Sequence, residues 1–236
     1  MPKDLRGFAR RAGLTLLASL LAACSSTTTR ADQGKAIASS AGLGADVADL
    51  LALAISGSDG TFVVTYKTTA TDGTDQQVTI TQSPPNRRVD VYLASGTLES
   101  TIRAGDVSYQ CTKTEAWTCA ALGAQGPGGE DRVLDPKTVT AAIEQLTRRV
   151  DDYDFRVEDR QLLGVTARCL VTTLKPGRSD PSLGSAATLC LAPSGAQLLV
   201  DVPRGKLEAS AYRADVATDA FSLPAQPTSS SSSASS

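Results

Sequence analysis

Thr61-Phe62-Val63-Val64-Thr65-Tyr66-Lys67 alternates its side chains with a period of two, the pattern of a strand with one face buried and the other wet. Phe62, Val64 and Tyr66 share one side, and Thr61, Thr65 and Lys67 the other. The alternation returns in Val78 and Ile80, in Val89, Val91 and Leu93, and in Phe155 and Val157. It recurs in Val165, Ala167 and Cys169, in Leu198, Val200 and Val202, and in Leu207, Ala209 and Ala211. Turn formers stand between the runs, among them Asp72-Gly73, Pro84-Pro85, Ser95-Gly96, Ala104-Gly105-Asp106, Lys175-Pro176-Gly177 and Pro193-Ser194-Gly195. Short alternating runs with breakers between them predict a meander of antiparallel strands with one apolar face.

Two stretches change period. Ala45 to Ile55 sets Val47, Leu50, Leu51, Ala54 and Ile55 at helical spacing and stops at the turn from Gly57 to Gly60, which predicts a short amphipathic helix. Asp135 caps a second helix, with Pro136 at its first position and Val139, Ile143, Leu146 and Val150 on one side. Arg148 and Arg149 fall near its negative end, where cations are favourable. A one-sided sheet must bury its apolar face, so the helices are expected to cover it in an α+β arrangement.

Five cysteines are present, and the first belongs to a separate segment. Lys3, Arg6, Arg10 and Arg11 form a basic head, Ala12 to Leu21 an apolar run, and Leu21-Ala22-Ala23-Cys24 a small-residue ending on a thiol, the layout of an export signal. The apolar run is too short for a bilayer span and gives way to Ser25, Ser26 and three threonines. The ending resembles the lipobox of bacterial lipoproteins. That resemblance implies cleavage before Cys24, a diacylglycerol on its sulfur and lipid anchoring at the extracytoplasmic face of the cell membrane. Two or more acyl chains, at about 0.8 kcal/mol per buried methylene, hold a protein there firmly. The expected organisation is a signal peptide over 1–23, a tether over 24–33, one domain over 34–226 and a disordered Ser-rich tail over 227–236.

In an exported chain the other four cysteines, Cys111, Cys119, Cys169 and Cys190, imply two structural disulfides. The runs Gly164 to Thr173 and Ser185 to Pro193 read as two strands joined by a loop. In such a hairpin, pairing Cys169 with Cys190 also sets Leu170 opposite Leu189 and Val171 opposite Thr188. Cys111 and Cys119 then close a seven-residue tip that contains Trp117.

Composition excludes much chemistry. The chain of 236 residues has no histidine, which removes Ser-His-Asp and Cys-His nucleophiles and every imidazole metal site. No nucleophile elbow, S-x-x-K, P-loop or dinucleotide fingerprint is present, and Gly42-Leu43-Gly44 reads as a helix break. The acids Asp151, Asp152, Asp154, Glu158 and Asp159 cluster, but they flank an expected strand and its turn, where solvated charges are common. Setting aside the signal's four basic residues and Asp4 takes the totals of 23 basic and 25 acidic side chains to 19 and 24, a formal charge of −5. An acidic surface without a basic block does not suit nucleic acid. The expectation is a non-enzymatic monomer with no metal or cofactor.

The run Thr61 to Lys67, followed by Val78-Thr79-Ile80, Pro84-Pro85-Asn86-Arg87-Arg88-Val89-Asp90 and Ile102 to Tyr109, resembles the front half of LolA-like proteins. Leu198 to Val202, Leu207 to Val216 and Phe221-Ser222-Leu223-Pro224 resemble the closing strands of the same LolA-like and LppX-LprG superfamily. The paired cysteines and the anchor depart from the pattern of its soluble carrier. The resemblance implies an open, strongly curved half-barrel of antiparallel strands with helices on its concave side and an apolar cavity for acyl chains. Leu51, Ile55, Phe62, Val64, Ile80, Val91, Ile102, Ile143 and Leu146 are the expected lining. The ligand expected from this is an acyl chain of a lipid or lipoprotein, carried without catalysis. The alternative is a sensor or scaffold that binds a membrane-protein partner.

Overall fold

A computed structural model describes residues 29–69, 75–123, 144, 147–179, 184–203 and 205–228. Cys24 and Ile143, Leu146 lie outside the described residues, as does most of the second expected helix, of which Glu144 and Thr147 are helical. Among the described residues, no helix is long and apolar enough to cross a membrane.

Helix α1 spans Arg30–Ser40 and α2 Ala45–Ser56. The first begins inside the stretch expected to be a tether. Its cause is local: the Thr29 side chain accepts from the Asp32 amide at 3.2 Å while Asp32 accepts from the Thr29 amide at 3.1 Å, a reciprocal cap that satisfies two backbone donors. The Thr29 hydroxyl, which donates to the Asp32 carboxylate at 2.7 Å, and the Thr29 amide hold Asp32 below the usual carboxylate range. The second helix buries Val47, Leu50, Leu51 and Ile55 against Leu170 and Leu191. Each such side chain contributes about 1.5–3 kcal/mol when fully buried.

Twelve strands form one sheet. They are β1 Phe62–Thr69, β2 Asp75–Ser83, β3 Asn86–Tyr92, β4 Leu98–Ala104, β5 Val107–Lys113 and β6 Trp117–Gly123. The others are β7 Tyr153–Leu162, β8 Val165–Leu174, β9 Ala186–Leu191, β10 Gln197–Val202, β11 Gly205–Arg213 and β12 Pro227–Thr228. Their spatial order is β12-β6-β5-β4-β3-β2-β1-β11-β10-β9-β8-β7. Every ladder is antiparallel except the short parallel one between β12 and β6. The sheet is curved and unclosed, with β7 and β12 at its two ends.

Both cysteine pairs are bridged, and both sit at directly opposed positions with Cα separations of 4.1 Å and 4.0 Å. Leu170 faces Leu189 and Val171 faces Thr188, the register that the hairpin reading predicts. Trp117 lies among the seven residues that the Cys111–Cys119 bridge closes. It is the first residue of β6, opposite Lys113, because the turn tightens to Thr114-Glu115-Ala116.

The expected single apolar face changes sides along the sheet. The helices pack on the face that carries Leu170, Leu189 and Leu191, which we call the inner face. Register places Val200, Leu207, Ala209 and Tyr66 on it, and with them Phe62, Val64, Ile80, Val89 and Val91. On β4 that face carries Glu99, Thr101 and Arg103. The apolar Ile102 is on the outer face, opposite Arg88.

A C-terminal strap, residues 214–228, leaves the end of β11 and crosses the outer face. The Arg88 guanidinium donates to the Ala220 carbonyl at 3.3 Å, and Leu223 and Ala225 pack on Ile102, Cys111 and Cys119. Its last two residues are β12, so the expected tail begins with a strand.

The end of α2 meets the sheet through backbone. A Cβ on Gly57 would stand 2.6 Å from the Gly195 carbonyl oxygen, and one on Gly195, at φ +80°, 2.4 Å from the Gly57 Cα. Gly96, at φ +83°, has open space around it. Gly195→Ala is therefore expected to lower the urea midpoint by the equivalent of about 2 kcal/mol or more, whereas Gly96→Ala costs about 1 kcal/mol of backbone strain. Equal midpoints for the two variants would refute the close-contact account.

Candidate functional site

The interior beside the end of α2 is bounded by Ala54, Gly57 and Ser58 on one side and Phe62, Tyr66, Ile80, Gln82 and Arg87 on the other. Gly195 of the β9–β10 turn and Gln197, the first residue of β10, complete it. The cavity between them measures about 30 Å³, room for roughly one water molecule.

Polar groups close this end. The Gln82 amide donates to the Gly57 carbonyl at 2.8 Å and to the Gly60 carbonyl at 2.9 Å, satisfying acceptors that the end of a helix leaves without an intrahelical donor. The Tyr66 hydroxyl donates to the Gln197 carbonyl at 2.6 Å. Burial pushes the Tyr66 phenol well above its ordinary value, against the opposing pull of the Arg87 charge. The site thus has an apolar wall and a hydrogen-bonded door frame.

Of the expected lining residues, Phe62 and Ile80 border the cavity, with Val64 and Val91 beside them on the same face. Leu51 and Ile55 are packed between α2 and the sheet. Ile102 is not part of this wall. It is fully buried beneath the strap with Cys111 and Cys119, because the turn after β3 sets it in phase with Arg88 rather than Val89. Gln82, Arg87 and Gln197 join the site although the alternation of apolar residues does not single them out, and so does Tyr66, which the alternation sets beside Phe62 and Val64 but the expected lining leaves out. A trace of them exists in the sequence: Gln82 follows Val78 and Ile80 in phase, and Arg87 precedes Val89 and Val91 in phase. A polar residue on the buried phase of a strand marks a place where something must be hydrogen-bonded.

The acidic cluster does other work. Asp152 pairs with Arg149 at 3.2 Å and Arg178 at 3.4 Å, and Glu158 sits between Arg156 at 2.8 Å and Arg160 at 2.6 Å. Among the described residues, no three carboxylate or thiol side chains converge as a metal ion requires.

Several solved structures are similar to this chain, three of them as follows. One is MucB in complex with MucA(peri), at 15% identity over 74% of this chain, with a TM-score of 0.42. This chain spans 58% of that MucB chain. Another is an uncharacterized conserved protein from Thermus thermophilus, at 13% identity over 77% of this chain and 97% of the other, with a TM-score of 0.40. A third is the Mycobacterium tuberculosis lipoprotein LppX, at 15% identity over 72% of this chain and 96% of the other, with a TM-score of 0.36. No protein-family model and no curated protein matches the chain.

Tyr66→Phe removes one buried donor and is expected to cost about 1 kcal/mol. Because folding raises the Tyr66 value, the folded state keeps its proton where the unfolded chain loses it. That contribution is complete below about pH 10 and falls as pH rises further. Urea unfolding between about pH 8 and 11 should show a shallower alkaline loss in Tyr66→Phe than in the parent chain. Identical slopes would show that Tyr66 does not supply it.

Proposed function

We propose that the chain is a non-catalytic binding protein, anchored by acyl groups on Cys24 at the extracytoplasmic face of the cell membrane, that takes acyl chains of a lipid or lipoprotein against its inner face. One observation carries this reading. The apolar wall of Phe62, Val64, Ile80, Val89 and Val91 continues across β1, β2 and β3, past the strands β7, β8 and β9 on which α2 is seated. Such a wall binds alkyl tails through area alone, at about 25 cal/mol per Å². It needs no nucleophile.

Size sets the mechanism. A pocket for a ligand of ordinary size measures roughly 300–1,000 Å³, about ten times or more the 30 Å³ at the end of α2. Entry of a chain there must part α2 from β1 and β2 and break the Gln82 bonds to Gly57 and Gly60. Binding strength is then the wall's gain less that opening cost.

A second reading rests on the polar part of the inner face. Glu99, Thr101 and Arg103 on β4 adjoin Gln110 on β5, with Thr101 donating to Gln110 at 2.9 Å. Hydrogen-bonding groups of both charges suit a segment of a membrane-protein partner better than a hydrocarbon.

Solvent extraction of the purified full chain, followed by mass spectrometry, separates the two. A stoichiometric acyl species, lost in Ile80→Trp, supports the carrier. An empty extract, with Ile80→Trp as active as the parent, selects the partner reading. Cys24→Ser is expected to move the protein from the membrane to the soluble fraction, and retention at the membrane would refute the lipid anchor.

A further inference from the structure

The outer face carries a second organised region that the binding proposal does not use. Cys119 is held there in three ways at once. Its sulfur is bridged to Cys111, its Cα is the register partner of Pro227, and its carbonyl accepts the Thr228 hydroxyl at 3.1 Å. Leu223 and Ala225 of the strap pack over Ile102 and both cysteines, which are at most 2% exposed. The strap itself is held lightly. Most of its residues are half-buried or exposed, and its ladder consists of two residues. Cys169–Cys190 is equally buried but lies in another cluster, away from the strap.

We propose that the strap is a redox-sensitive latch over Cys111–Cys119. Docked, it keeps thiol reductants from the sulfurs, and reduction of the bridge undocks it. The coupling runs both ways because bridge and strap share one strand. β6 pairs with β5 on one side and with the two residues of β12 on the other. Opening the bridge removes the covalent tie within the β5–β6 hairpin, and with it the fixed platform for Pro227 and Thr228. Conversely, a strap that leaves exposes the sulfurs. The reductant is a dithiol. Its thiolate attacks one sulfur to form a mixed disulfide, and its second thiol then displaces the cysteine. Cys111 and Cys119 gain two electrons and two protons, and the dithiol becomes a disulfide.

Undocking uncovers Ile102, Tyr109 and the chain's single tryptophan, Trp117, all part of the cluster under Leu223 and Ala225. That gives the latch an optical reporter.

The test treats the full chain with dithiothreitol and follows each bridge by alkylation and peptide mapping. In Leu223→Asp, and more mildly in Thr228→Val, Cys111–Cys119 should open faster, on the order of tenfold for the former, while Cys169–Cys190 keeps its parent rate. Unchanged opening of Cys111–Cys119, or equal acceleration of both bridges, overturns the proposal, the second because it reports general unfolding. In the parent chain reduced only at Cys111–Cys119, Trp117 emission should shift to the red and amides 217–228 should exchange faster, with α1 and α2 unchanged. A strap that stays protected after reduction overturns it equally.

Discussion

Two stretches of backbone touch where α2 ends, and the arrangement of the inner face follows from that contact. Gly57 and Gly195 approach so closely that neither position has room for a methyl group. Gln82 binds the carbonyls of Gly57 and Gly60 from the sheet side. A helix end normally seeks water or a cap, and here the cap is a glutamine on a strand. The helix pair is thereby fixed over β7, β8 and β9, and the apolar wall of β1 to β3 lies to one side of it. Moving that contact by the width of a methyl group would move the seam along which the small cavity could widen.

Facing is the second constraint. Strand β3 has apolar residues on its inner phase and Arg88, Asp90 and Tyr92 on its outer one, whereas β4 has Glu99, Thr101 and Arg103 inside and Ile102 outside. The sheet therefore needs cover on both sides. Helices supply it at one end, and the strap supplies it at the other. Beneath the strap Arg88 pairs with Asp90 at 2.8 Å, and Ser100 donates to Asp90. This largely buried ion pair is hydrogen-bonded on several sides, the condition under which a buried charge is tolerated.

The two faces divide the labour. The inner face presents an apolar wall, with Tyr66, Gln82 and Gln197 forming a hydrogen-bonded rim. The outer face fixes the sheet's open end by one bridge and a lightly held strap. A sheet that does not close must secure its edges by other means. At the β7 end, charges do this: Arg156, Glu158 and Arg160 line that strand with ion pairs.

The strands β1 to β3 and β7 to β11, the helix from Ala45 and the pairing of Cys169 with Cys190 were legible in the order of the amino acids, whereas β6 and β12 were not. These rest on periods of about 2 and 3.6 residues and on whole-number register, which are local properties of the chain. The reciprocal cap at Thr29 and Asp32 was encoded there too, although a low apolar content hid the helix that follows. Which face each strand turns inward emerged from the folded chain. Alternation groups Ile102 with its own neighbours but says nothing about their side of the sheet. That depends on the turn, where Leu93 and Thr97 pair around Ser95 and so bring Ile102 opposite Arg88. The seat of α2 on the turn at Gly195, and the path of the strap to Cys119, join residues more than a hundred positions apart. No local period encodes contacts at that range, because they are selected by the shape of surfaces that exist only after the sheet has formed.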